Sequence, residues 1–195
     1  MKPLLLINHK GGMNLGWMEK ITKEIKRKNE KISFLMTDTL PFIRTFLEST
    51  KLDFEIMDCD PDLADTNIFC KKYGINFEDA TNTIVVKSKT GELKYAVCVL
   101  LATTKLDTNK TIRKKLSTHK VSFASIEESE KFTNMVIGGI APIELPNNLP
   151  IWVDSQVMQR KIIVLGGGNR TSKIKISPNI FNHTTNTEIV MGLAK

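Results

Sequence analysis

The sequence predicts an α+β domain built on a mixed, mainly antiparallel β-sheet flanked by helices. Three observations carry this. Thr83–Lys87 and Leu93–Val99 are β-branched runs on either side of the glycine-bearing turn Ser88-Lys89-Thr90-Gly91-Glu92, so they read as a hairpin. Such local pairing outweighs strict strand–helix–strand alternation along the chain. A length of 195 residues suits one domain with a modest attachment, long enough to bury a real core.

The elements follow in order. Leu4–Ile7 reads as a short buried strand. Leu15, Met18, Ile21 and Ile25 recur at helical spacing, with Lys20, Lys23, Lys26, Arg27 and Lys28 on other faces. Ile32–Met36 reads as another strand, so residues 1–38 are expected to form a βαβ-like N-terminal extension and 39–195 the main domain. Thr39 ahead of Leu40-Pro41 marks a helix start, because proline suits the first helical turn, and that helix runs to about Ser49. Phe54–Asp58 alternates like a strand, and Pro61–Tyr73 reads as one helix closed by Gly74. Beyond the hairpin, Thr108–Leu116 reads as a helix capped by Asp107 or Thr108. Val121–Ala124 reads as a strand, and Ser125 with Glu128 has capping-box spacing. Ile151–Val153 is a short strand ending at Asp154, and Ile162–Leu165 is another that runs into a glycine cluster. Lys173–Ser177 alternates as an amphipathic strand, Pro178 opens a short helix, and Glu188–Met191 is a last strand.

Composition narrows the function classes. No apolar run approaches the ~18 residues of a membrane span, and the run at Met1–Ile7 is too short for a signal peptide. A cytoplasmic location without a membrane partner is expected. Three widely spaced cysteines, Cys59, Cys70 and Cys98, make no disulfide framework and no metal-ligand pattern, so free buried thiols are expected. A net charge of +7 favours a polyanionic partner through counterion release. The densest basic segment holds Lys105, Lys110, Arg113, Lys114, Lys115 and Lys120. On a helix, Lys110, Arg113 and Lys114 share one face, suited to a phosphate backbone or simply to solvent.

Candidate catalytic groups are few. Asn8-His9-Lys10-Gly11-Gly12-Met13 sits where a phosphate loop would, but Asn14-Leu15-Gly16 stands in place of the required lysine and hydroxyl residue, so a glycine turn is the better reading. His9, His119 and His183 are far apart, and no serine or cysteine has a recognisable neighbouring base. Asp58, Asp60, Asp62 and Asp65 crowd one segment, where helix-entry charges outrank a metal site. No metal or cofactor is expected. The stretch Val136-Ile137-Gly138-Gly139-Ile140-Ala141-Pro142 is more specific, because adjacent glycines let backbone amides approach a ligand closely. Converging amides can hold a carbonyl oxygen as it gains charge, although taken alone this stretch is better read as a tight turn between sheet elements.

Four segments in order change that balance. These are Asp79–Val86, Gly138–Pro142, Leu149–Asp154 and Gly166-Gly167-Gly168-Asn169-Arg170. Over roughly residues 40–195 the chain resembles the YbaK family, which is also the editing domain inserted in bacterial-type prolyl-tRNA synthetases. The resemblance implies a mixed or partly closed barrel-like α+β fold and a freestanding deacylase acting in trans on mischarged aminoacyl-tRNA. It implies no metal and no covalent nucleophile, because the ester is already activated. Positioned amides, a bound water and the tRNA's own terminal ribose hydroxyl would suffice. By the same resemblance, Gly138, Gly139 and the loop to Pro142 polarise the carbonyl, Asp154 orients the amino-acid end, and Gly166, Gly167 and Gly168 form a pocket wall. The resemblance also implies that Asn82 and Thr83 contact substrate.

One departure stands out. Asn82 occupies the position of a lysine usual in the family, keeping hydrogen bonding but losing charge. Lys87 lies five residues on, and so faces the other side of the strand. The alternative is a non-catalytic tRNA-binding or synthetase-docking module on the same fold. Gly139→Ala is expected to lower turnover with the fold intact.

Overall fold

The computed structural model describes residues 20–25 and 38–195. The chain divides into two compact units, Met1–Met36 and Thr37–Lys195. In the first, residues 20–25 are helical, inside the helical run expected there. The expected strands at Leu4–Ile7 and Ile32–Met36 and the glycine turn at Asn8–Met13 lie outside the described residues.

The second unit opens with helix α1, Pro41–Thr50, which buries Ile43 and Leu47. Strand β1 is Phe54–Asp58, followed by a 3-10 turn, Pro61–Leu63, and helix α2, Thr66–Tyr73. Strands β2, Thr81–Ser88, and β3, Tyr95–Leu101, form the expected hairpin in register Thr83↔Val99 and Val85↔Val97. A π-wound turn, Thr108–Ile112, runs into helix α3, Arg113–Leu116, and on to β4, Val121–Phe123. Helix α4 is Ile126–Thr133; β5, Ile151–Asp154, and β6, Ile163–Gly166, follow. Strand β7, Ser172–Ile176, a 3-10 segment, Pro178–His183, and β8, Thr187–Val190, complete the chain.

The strands make two sheets. One is the antiparallel trio β1-β7-β6; the other is β4-β2-β3-β5-β8, in which β3–β5 and β5–β8 are parallel and the rest antiparallel. A parallel bridge between Ala80 and Val164 touches β6 just ahead of β2, and the arrangement stays open rather than closing into a barrel. The main core lies between the sheets and α1, with Val85, Val97, Val99, Val153, Leu165, Ile174 and Ile176 facing inward. A second cluster sits under α3, where Ile112 and Leu116 meet Ala96, Cys98 and Trp152. Strand β3 feeds both clusters, which is why Ala96–Leu101 is buried on both faces and reads as an unbroken apolar run. A third, smaller cluster places Phe69 and Cys70 of α2 against Cys59, Ala80 and Val164.

Two helix expectations are corrected. Pro61–Tyr73 is not one helix, because it breaks at Ala64-Asp65. The Asp60 carboxylate caps the first turn through the Asp62 amide, and Asp65 accepts from the Asn67 and Ile68 amides, restarting the helix. Thr108–Leu116 begins π-wound, with the Ile112 amide reaching back to the Asp107 carbonyl at 3.2 Å. The capping box is as expected: Ser125 accepts from the Glu128 amide and Glu128 from the Ser125 amide.

Candidate functional site

The two glycine clusters interlock. After α4, Asn134 takes a left-handed turn and the chain enters the loop 136–142, where Gly138 has φ +85°. The Gly139 amide closes a tight turn onto the Val136 carbonyl, at 3.0 Å. The Gly139 carbonyl accepts from the Gly168 amide at 2.6 Å, and the Val136 amide donates to the Gly168 carbonyl at 3.2 Å. Backbone presses on backbone: a Cβ at Gly139 would stand 1.9 Å from the Asn169 carbonyl oxygen, and one at Gly166 would stand 2.3 Å from the Gly139 oxygen. Neither position tolerates a side chain without separating the loops. Gly167 anchors α1 instead, since its carbonyl accepts from the Thr39 hydroxyl at 2.5 Å.

Two cations staple this loop to the turn ahead of α2. Arg170, in the β6–β7 turn, donates twice to the Pro61 carbonyl, at 3.0 and 2.6 Å, and once to the Ile137 carbonyl at 3.4 Å. Lys173, on β7, donates to the Ala64 and Gly138 carbonyls, each at 3.0 Å. Its ammonium also lies 5.6 Å from the centre of the Phe69 ring. Lys173 is only 6% exposed and makes no ion pair with a carboxylate among the described residues. Burial pulls its pKa below the ordinary lysine value, with Arg170 adding to the effect; Cys59, Cys70 and Asp65 oppose it.

With the Ile137, Gly138 and Gly139 carbonyls each held by a donor, the loop's peptide planes are fixed. The amides of Gly138, an exposed residue, and of Ile140 donate to no acceptor among the described residues. Fixed and unengaged amides are the kind of donor that can hold an oxygen gaining negative charge.

The other expected site residues are placed as follows. The Asn82 carboxamide oxygen accepts from the Thr66 hydroxyl at 2.8 Å, which puts it beside the first turn of α2. Thr83 lies next along β2 and so faces the opposite side, toward the core that holds Val85. Lys87 shares that opposite side and pairs with Glu128 at 2.6 Å, so it does not stand in for a cation at position 82. Pro142 is buried. Asp154 is buried with both oxygens engaged: one accepts from the Gln156 amide, the other from the Ala194 amide, each at 2.9 Å. It thereby fastens Ala194 to the end of β5. Lys110 and Lys114 are exposed and Arg113 is half-buried. Lys115 pairs with Glu188 at 2.6 Å and lies 4.8 Å over the Trp152 ring. An open groove lined by Phe42, Asn134, Glu144 and Pro146, among others, contains none of the expected residues.

The thiols are free and buried as expected. Burial raises the pKa of all three, that of Cys98 to about 12, so they stay protonated at neutral pH. Among the described residues, no group of three His, Cys, Asp or Glu side chains could hold a metal ion, and no helix is long and apolar enough to cross a membrane.

Sequence reasoning missed Lys173 and the contacts of Arg170. Lys173 alternates with Ile174 and Ile176 and so reads as part of a polar face; nothing local says that α2 covers it. Arg170 sits in a recognised motif, yet its partners are carbonyls of Pro61 and Ile137, remote in sequence.

Fold and site together define a mixed α+β domain with an amide-presenting glycine loop braced by a second glycine turn. The chain belongs to the aminoacyl-tRNA editing domain family, whose model matches residues 60–182. A curated relative from Enterococcus faecalis, EbsC, provisionally named a Cys-tRNA(Pro)/Cys-tRNA(Cys) deacylase, is 26% identical over 103 residues. The match covers 53% of this chain and 60% of that relative's length. Among solved structures, the hypothetical protein APE2540 superposes with a TM-score of 0.68 at 19% identity, over 78% of this chain and 99% of that one. A protein provisionally described as a trans-editing enzyme for prolyl-tRNA synthetase superposes with a TM-score of 0.64 at 16% identity, over 80% and 98%. These structural likenesses support the fold.

Proposed function

We propose that this chain hydrolyses the ester of a mischarged aminoacyl-tRNA, acting in trans. The observation that carries the reading is the unengaged Gly138 amide, held on a loop whose flanking carbonyls are all fixed. Water attacks the ester carbonyl carbon, and its oxygen gains charge against the Gly138 and Ile140 amides. The carbon–oxygen bond to ribose then breaks. The amino acid leaves with the water's oxygen, and the departing ribose oxygen takes the proton that the water gives up, becoming a hydroxyl. The Gly139 amide, occupied by Val136, serves to shape the loop. Asp154, with both oxygens occupied, acts through the frame at the end of β5. Asn82 and the Thr66 hydroxyl border the amino-acid end, Gly166 and Gly168 back the loop, and Gly167 ties that wall to the start of α1. Lys110, Arg113 and Lys114 offer positive charge to the tRNA backbone.

The name of EbsC makes Cys-tRNA(Pro) the first substrate to try, within a panel of mischarged tRNAs. Release of free amino acid from at least one member is expected. A folded protein that releases none would overturn the reading.

A second reading is a non-catalytic tRNA-binding or synthetase-docking module. It is favoured by the uncharged Asn82, already engaged by Thr66. Binding to tRNA that weakens steeply with salt, without hydrolysis, would select it.

A further inference from the structure

Lys173 is an unusual place for a charge. A buried ammonium is costly unless it is paired or fully hydrogen-bonded. This one is nearly enclosed and faces Phe69, with two carbonyls as its direct partners among the described residues. A methionine would fill the same space without the desolvation cost. What the lysine adds is a donor for Ala64, whose carbonyl is left over where the helix breaks, and a donor for Gly138, at the centre of the glycine loop.

The Gly138 carbonyl and the Gly139 amide belong to one peptide unit. Lys173 holds its oxygen and Val136 accepts from its nitrogen, so the plane is fixed at both ends. The preceding unit has its Ile137 carbonyl on Arg170 and its Gly138 amide unengaged. The orientation of the Gly138 amide follows from these two anchors, and of the two cations only Lys173 is buried. A cation on a carbonyl oxygen also polarises the peptide, which strengthens hydrogen bonds along the same chain of groups.

We propose that Lys173 is a positioning residue for the hydrolytic loop: its ammonium locks the Gly138–Gly139 peptide plane and so aims the Gly138 amide at the ester oxygen. This rests on the deacylase reading given above. The charged and titratable groups around Lys173 are Cys59 at the end of β1, Asp65 and Cys70 at α2, and Arg170 in the β6–β7 turn.

The test compares wild type with Lys173→Met and Lys175→Met in single-turnover deacylation, with Cys-tRNA(Pro) and the other mischarged tRNAs of the panel as probes. Lys173→Met is expected to lower the maximal rate at least about tenfold, with tRNA Kd within about twofold of wild type, since loss of oriented amide donors acts on the chemical step. Lys175→Met keeps the wild-type rate. An unchanged rate in Lys173→Met, or a loss wholly in Kd, overturns the proposal.

A second measurement needs neither a variant nor turnover. In the wild-type protein, NMR follows the Lys173 side-chain carbon, the Gly138 carbonyl carbon and the Gly139 amide nitrogen through an alkaline titration. A shared midpoint is expected, and loop resonances that ignore the Lys173 titration overturn the proposal. If no charged tRNA is hydrolysed, the deacylase reading fails, while the titration still decides whether Lys173 controls the loop.

Discussion

Lys173 and Lys175 stand two residues apart on the same face of β7, in opposite environments. Lys175 is half-exposed and pairs with Glu55 across β1 at 3.1 Å. Lys173 is enclosed by Phe69 and held by two carbonyls. The difference comes from what lies over the sheet. Helix α2 covers only the end of β7 that leads into the glycine turn. One end of the strand is an ordinary solvated surface, and the other is the back wall of a loop that presents amides. Lys87 is intermediate, on β2, paired with Glu128, which also accepts from the Tyr95 hydroxyl at 2.7 Å.

The largest expected effect strikes the loop itself. Gly139→Ala would drive a methyl group into the Asn169 backbone, so the two glycine turns must part. A loss of about 3 kcal/mol or more is expected, as for severe overpacking. That corresponds to a fall in Tm of roughly 6–12 °C for a domain of this size, with deacylation lost as well. This corrects the expectation that the fold would be unaffected. A thermal melt matching wild type would show that the turns are not interlocked.

Removing the charge at either end of β7 comes next. Lys173→Met leaves two buried carbonyls without their donor but relieves the desolvation of an ammonium, for a net loss of about 1–2 kcal/mol. Lys175→Met breaks only a surface pair and should stay within about 0.5 kcal/mol. Urea denaturation of both variants checks the ordering, and equal effects would erase the contrast between the two environments.

Lys173 and Glu128 make stability depend on pH in two separate windows. Lys173 has a folded pKa below its unfolded value, so the unfolded chain binds more protons as the alkaline range is entered. Its contribution therefore rises with pH up to the ordinary lysine value, and the Lys173→Met variant should lack that rise. Glu128 is held down to about 2 from 4.5, chiefly by Lys87, then by the Ser125 amide and the Tyr95 hydroxyl. Its contribution is complete above about pH 4.5 and is lost as the pH falls toward 2. Denaturation profiles of Glu128→Gln should be flatter than wild type across that acid window. A profile as steep as wild type would break the assignment.

Much of this fold was legible in the sequence because the signals were local. Pro41 opens α1, Gly74 closes α2, Ser125 and Glu128 box the start of α4, and the β2–β3 hairpin pairs across a short turn. The glycine loops were visible as candidates, but their work was not. Sequence does not tell that the Gly139 amide is spent on Val136 while that of Gly138 is left over. The break at Ala64-Asp65 was missed because Asp65 fits either a helix interior near its start or a new cap. Lys173 was missed because alternation assigns a face and says nothing of what covers it. That cover comes from α2, about a hundred residues earlier in the chain.

The central claim is that the interlocked glycine loops form an ester-hydrolysing site for mischarged aminoacyl-tRNA. Single-turnover release of amino acid from the mischarged panel, begun with Cys-tRNA(Pro), tests it most directly. The account predicts enzyme-dependent release from at least one charged tRNA, slowed by Lys173→Met and untouched by Lys175→Met. A folded wild-type protein that binds these tRNAs and leaves every ester intact would contradict it.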